Sequence, residues 1–199
     1  MCKLIPRFPT AYFPSILYVR ELVKWQKAAI DVSEHWIKQT TRNRCEILTS
    51  SGIQKLIVPI QHSESKQTIS AIQADLQQNW KTQHIRSLTT AYKNAPYFED
   101  YETEIFGFIH NHPNALWEGN LVFLQWILDE WEIPIDIEVA RDFEPYEEKD
   151  LRKIQWFEKE RSMKKYQQVF GFEKPFVPNL SVLDLLFNEG PMGRNWILA

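Results

Sequence analysis

The stretch NRCEILTSSGIQKLIVPI, residues 43–60, sets two runs rich in Ile, Leu and Val on either side of Ser50, Ser51 and Gly52. Branched side chains suit the pleated surface of a strand, and a glycine relieves the tight reversal between two strands. The pattern predicts a β-hairpin with Gly52 in its loop. Working outward toward the N-terminus, AAIDV (28–32) predicts a short buried strand. SILYVRELVKW (15–25) places Ile16, Leu17, Val19, Leu22 and Val23 close to one helical face. In the other direction, QTISAIQADL (67–76) alternates imperfectly and predicts a third strand. From Asn79 the period lengthens, and Trp80, His84, Leu88 and Ala91 fall three or four apart, which predicts a helix with Trp80 and His84 on one face.

Further along, PYFEDYETEIFGFI (96–109) and NALWEGNLVFLQWILDEW (114–131) predict two more helices. IPIDIEVA (133–140) predicts a strand, and EEKDLRKIQWFEKE (147–160) a polar helical segment. PNLSVLDLLFNEGP (178–191) carries the marks of a capped helix. Ser181 stands at the N-cap, Asp184 where an acid meets the positive helix end, and Gly190 with Pro191 stops it. The fold class expected is mixed α/β: a small sheet with an early hairpin packed against several helices, in a single domain spanning residues 1–199.

The 199 residues include 23 Lys and Arg against 26 Asp and Glu, a formal charge of -3. That balance argues against nucleic acid as a partner, since such binders present a strongly basic face. Charge is nevertheless polarised along the chain. Residues 38–93 are rich in cations, whereas residues 129–150 hold ten acids against Arg141 and Lys149 and form a candidate docking surface for a protein partner. The N-terminus MCKLIPRFPT has no secretory pattern, and no apolar run reaches the roughly 18 residues that a membrane span needs. A cytoplasmic protein with Cys2 and Cys45 as free thiols, and no membrane insertion, is expected.

The candidate chemistry gathers in KQTTRNRCEI (38–47). Arginine offers a planar fork that grips phosphate or carboxylate in two places, and lysine a compact charge. With residues 43–47 extended, Arg42 and Arg44 would project to one side as a diphosphate clamp. The plainer alternative is ion pairing with the acidic residues 129–150. His84 is the candidate general base, because histidine titrates near neutral pH; a buried, hydrogen-bonded ring is the alternative. His110 and His112 are spaced for two metal ligands on a strand but fall at a helix end, so no metal or other cofactor is expected. Cys45 beside two arginines is either an activated nucleophile or an ordinary buried thiol. Asp184 and Asn188, one turn apart, either orient a sugar or only cap their helix.

These residues sit in segments that resemble the WbqC-like protein family: YFPSILYV, EHWIKQTTRNRCEI, LIVPI, the array of Trp80, His84, Tyr92 and Pro96 to Phe98, and FVPNLSVLDLLFNEGP. The resemblance runs from about Tyr12 to Pro191. It implies a bacterial protein of O-antigen-type, cell-surface polysaccharide biosynthesis, acting on a nucleotide-linked amino sugar and transferring an acyl or aminoacyl group to its amine. The implied partners are therefore a small nucleotide sugar and an acyl donor. On this reading His84 is the base, with Lys38 and Asn43 as oxyanion donors. Arg42 and Arg44 hold the diphosphate, Tyr12, Trp80 and Tyr92 form an aromatic wall, and Asp184 and Asn188 orient the sugar. A non-catalytic scaffold in a polysaccharide-assembly complex is the alternative.

Overall fold

The computed structural model describes residues 5–61, 66–145, 150–157, 163–171 and 174–199. The architecture is mixed α/β, a three-stranded parallel sheet and a two-stranded antiparallel hairpin set among helices. Strand β1 (Arg7–Pro9) leads into helix α1 (Ile16–Leu22), and β2 (Lys27–Asp31) comes next. The hairpin is β3 (Arg44–Thr49) with β4 (Gly52–Ile57). Helices α2 (Trp80–Tyr92), α3 (Phe98–His110) and α4 (Leu116–Glu130) fill the middle, then come β5 (Asp136–Ala140), α5 (Val182–Glu189) and α6 (Arg194–Ile197). In the parallel sheet β2 lies between β1 and β5, so Ala28 to Asp31 are buried from both flanks.

The hairpin register pairs Thr49 with Gly52, and Gly52 at φ 113 occupies backbone that side chains rarely adopt. Residues 67–76 differ from expectation. They form a 3-10 turn at Ile69–Ala71 and isolated bridges, because Ile69 N and Ser70 N bond to the carbonyls of Glu34 and Val32 rather than to a neighbouring strand. Strand β1 escapes the sequence pattern because three residues that include Pro9 carry no period. Of the polar segment 147–160, the described part is a 3-10 turn at Leu151–Lys153 and then irregular chain. Cys2, Glu147, Glu148 and Lys149 lie outside the described residues.

Helices α1 and α5 start side by side. Ile16 N bonds to Leu180 O at 2.9 Å and Val182 N to Pro14 O at 2.8 Å, while Ser15 and Ser181 cap the two helices through their hydroxyls. Each cap contributes about 1 kcal/mol. Two residues before each cap, Phe13 and Asn179 take positive φ, 39° and 52°. For a bulky residue such as Phe13 this backbone is uncommon and is held by its surroundings. The paired helix starts also fix a distant peptide, since Ser15 Oγ and Asn179 Nδ2 both donate to the carbonyl of Trp156, at 2.8 and 3.0 Å.

Acids in residues 129–150 are partly used within the chain. Lys27 pairs with Asp136 and Glu138, Arg7 with Glu144, and Arg152 with Asp150. No described helix is long and apolar enough to cross a membrane.

Candidate functional site

The segment before β3 is a 3-10 turn, Thr41–Asn43, and this overturns the side-by-side clamp. Arg42 does not lie on an extended strand with Arg44. Its guanidinium turns inward and donates from Nε to Glu34 Oε1 at 2.8 Å and from Nη2 to Glu34 Oε2 at 2.6 Å. Further donations reach Thr40 Oγ1 and the carbonyl of Arg152. Both partners are buried, so the ion pair stays inside the fold, and Arg42 pairs with none of the described residues of 129–150. Burial pushes the Glu34 carboxyl up, with Arg42 pulling it back. Asp31 is drawn below its usual range: although burial raises it, bonds from Ser33, Arg152 and Arg7 prevail.

Each carbonyl of the turn is taken by a different element. Tyr12 N donates to Thr41 O, Asn120 Nδ2 of α4 to Arg42 O, and Val58 N to Asn43 O, at 3.0, 2.8 and 2.8 Å. The backbone is therefore fixed, but the side chains are not all satisfied. Seven buried side-chain nitrogen or oxygen atoms have no hydrogen-bond partner among the described residues. Thr41 Oγ1, Asn43 Oδ1 and Arg44 Nε lie on this one segment, Asn120 Oδ1 belongs to the side chain that holds it, and Trp156 Nε1 belongs to the later chain that follows Arg152. Buried polar groups are normally paired, so these atoms call for partners that the described residues do not supply, ordered water among them.

Beside the turn is a cleft of about 160 Å³, lined by Thr41, Arg42, Arg152 and Trp156, with Ile37 and Ile154 among its other walls. Its far wall is fixed at two points. Arg152 Nη1 donates to Asp31 Oδ2 at 2.6 Å, and the Trp156 carbonyl is held by Ser15 and Asn179. Trp156 also packs edge-on against Tyr18, with ring centroids 5.0 Å apart.

The other sequence candidates fall in two further groups. Tyr12, Trp80 and His84 do meet, with Trp80 and His84 centroids 5.1 Å apart. His84 Nε2 lies 3.2 Å from the carbonyl of Ile57, which only accepts, so Nε2 carries the proton. Nδ1 then accepts from Tyr12 Oη at 2.9 Å. Both ring nitrogens are thus occupied in a buried ring, and burial pushes the imidazole down to about 4. A substrate proton could reach it only after one of these bonds broke. Asn43 Nδ2 donates to the next carbonyl, Val58 O, so His84 and Asn43 brace adjacent peptides beyond β4. Lys38 sits exposed in a turn, apart from this bracing.

Asp184 is fully buried and accepts from Tyr92 Oη at 2.8 Å, Tyr166 Oη at 2.5 Å and Gln168 Nε2 at 3.0 Å. Asn188 Nδ2 bonds back to Asp184 O. These residues form an interior network rather than a sugar-facing surface. Burial pushes the Cys45 thiol well up, which disfavours the thiolate a nucleophile needs. His110 is exposed at the end of α3, whereas His112 is buried with its Nε2 against Gly119.

The family model of the WbqC-like proteins matches residues 10–160 and 144–195, a span that contains the turn, both cleft walls and both interior networks. The chain belongs to the WbqC-like protein family. No curated protein and no solved structure matches it. For this WbqC-like chain the partners of the turn were not visible in the sequence. Asn120 had a signal, a lone polar residue on the apolar face of α4. Trp156 and Arg152 had none, since they reach the turn across more than 100 residues.

Proposed function

We propose that this WbqC-like chain serves cell-surface polysaccharide assembly by binding a nucleotide-linked amino sugar at the Thr41–Arg44 turn and its cleft, and by acylating or aminoacylating the amine. The observation that carries the reading is the concentration of buried, unpartnered polar side chains on residues 41–44, beside a cleft walled by Thr41 and Trp156. The cleft, about 160 Å³, is equivalent to roughly five waters. That size suits one sugar ring edge with its substituent, and a whole sugar nucleotide would extend outside it. Arg44 is half-buried, and burial lowers its pKa. Its guanidinium, two residues along the chain from Arg42 and outside the cleft lining, is the cation this reading assigns to a phosphate of the extending part.

In the reaction the amine nitrogen forms a bond to the carbonyl carbon of an activated acyl ester or thioester. The bond from that carbon to the donor oxygen or sulfur breaks, and the amine proton leaves with the alcohol or thiol. The chain's contribution is to hold the amine and exclude water. His84 is a positioning residue that fixes Tyr12 and the chain beyond β4.

The test is calorimetric titration of the full chain with a nucleoside diphosphate amino sugar, then mass spectrometry for a new amide after addition of acyl thioesters or aminoacyl esters. Binding that weakens in Arg44→Gln, together with amide formation, supports the reading. Binding without amide formation under any donor would leave a sugar-nucleotide binding protein, and absence of binding would reject the site.

A further inference from the structure

We infer that the outward face of helices α2 and α3 docks on the same face of a second copy of this chain, forming a two-fold dimer in which α2 of each copy lies over α3 of the other. The surface is separate from the cleft, so the inference does not depend on the sugar reading.

Charge is divided between the two helices. Helix α2 and its C-cap, residues 80–93, hold Lys81, Arg86 and Lys93 and no acid, whereas α3 holds Glu99, Asp100, Glu102 and Glu104 and no Lys or Arg. Arg86, Lys93, Glu99, Asp100 and Glu104 are exposed, and none of them has an ion pair among the described residues. Glu99 and Asp100 suit the positive start of α3, but Arg86 and Glu104 stand in mid-helix, where no helix end accounts for them.

The two helices are antiparallel neighbours. Lys81 Nζ, at the start of α2, donates to the carbonyls of His110 and His112 beyond the far end of α3, at 2.8 and 3.4 Å. Arg86 therefore stands level with Glu104, and Lys93 with Glu99. Thr82, Arg86, Thr89 and Lys93, spaced four, three and four apart, form one stripe of α2. A two-fold axis running along the pair, between α2 and α3, turns α2 over the second copy's α3 at the same level. Arg86 then meets the second copy's Glu104, Lys93 meets its Glu99, and each contact occurs twice, as a self-complementary interface requires.

Gly107 adds an independent observation. It lies within α3 on the outward side with Thr103, in a helix interior where glycine is less favourable than alanine. Its φ is negative, and a Cβ there would meet nothing within 4 Å, so neither the backbone nor packing within the chain calls for glycine. A missing side chain at this point lets a second helix approach closely. Two 13-residue helices, each about 20 Å long and about 10 Å wide, present roughly 400 Å² per copy. That area is small for a specific interface, so a weak, salt-sensitive dimer is expected.

Sedimentation equilibrium of the full chain over a concentration series, at about 0.05 M and about 0.5 M salt, tests this. A monomer–dimer equilibrium that weakens at high salt is expected. Arg86→Glu and Glu104→Arg should each weaken self-association by about tenfold, because like charges then face each other, with the melting temperature of the dilute chain unchanged. An equimolar mixture of the two variants should associate as the unaltered chain does, since both contacts of the mixed dimer oppose unlike charges; damage to either fold would not give this rescue. Gly107→Leu should abolish the dimer without lowering the melting temperature. A chain that stays monomeric up to about 1 mM overturns the inference. So does a dimer that neither charge variant weakens, or a mixture that associates no better than either variant alone.

Discussion

Arg42 and Glu34 form a two-pronged ion pair, Nε to Oε1 at 2.8 Å and Nη2 to Oε2 at 2.6 Å, with neither side chain in reach of solvent. A cation so placed holds the fold. Arg42→Met is expected to lower stability by about 3–5 kcal/mol because it strands a buried carboxylate, and pairing it with Glu34→Leu should restore much of the loss. Urea unfolding of the two single variants and the double variant measures this. A single variant of native stability would show that the pair does not anchor the turn.

Arg44 should behave in the opposite way. Its Nε has no hydrogen-bond partner among the described residues, and the side chain is half-buried. Arg44→Gln is expected to change stability by less than about 0.5 kcal/mol, as surface changes do, while weakening sugar-nucleotide binding. Unfolding midpoints and titration on the same preparation separate the two effects.

His84 gives a pH signature. Its ordinary value of 6.5 is pushed down to about 4 by burial, so below pH 6.5 the unfolded chain takes up the proton first. The stability associated with the neutral ring is complete above pH 6.5, declines as the pH falls, and is lost by about pH 4. The loss is on the order of 3 kcal/mol. His84→Gln should flatten the stability profile across that window in a thermal-melt series. His112, also pushed down by burial, leaves a residual slope of the same sign. An unchanged profile in His84→Gln would show that the ring titrates normally in the fold.

Asp184 is expected to act through the interior. Asp184→Asn turns an acceptor of three donors into a mixed group, and should cost roughly 2 kcal/mol or more. Ligand affinity of the folded fraction should stay as in the unaltered chain. A selective loss of affinity at full stability would instead place Asp184 on the ligand.

The hairpin, α2 to α5 and the cap at Ser181 were legible because each is written locally, in a turn glycine, a helical period or a capping pattern. The parallel sheet was only partly legible, since β1 is three residues and its pairing with β2 is a tertiary event. Within the segment 38–47 the sequence misjudged Arg42, whose orientation depends on a 3-10 turn and on Glu34 eight residues earlier. Residue type alone makes the arginines look like a clamp; the buried carboxylates that neutralise them are visible only once the chain is folded. Thr41 and Trp156 stand out for a similar reason, because an unpartnered polar atom is a property of surroundings and not of residue type.

In the proposed reading the unpaired side chains around the turn serve a ligand rather than the fold, and Thr41→Val separates those two roles. Valine keeps the shape and removes a buried hydroxyl that has no partner among the described residues. The melting temperature of the ligand-free variant is predicted to equal or exceed that of the unaltered chain. A nucleoside diphosphate amino sugar at ten times its Kd should raise the unaltered chain's melting temperature by about 3–6 °C and the variant's by much less. A ligand-free variant that melts several degrees lower, with its ligand-induced rise intact, would show that the hydroxyl serves the fold and not a ligand.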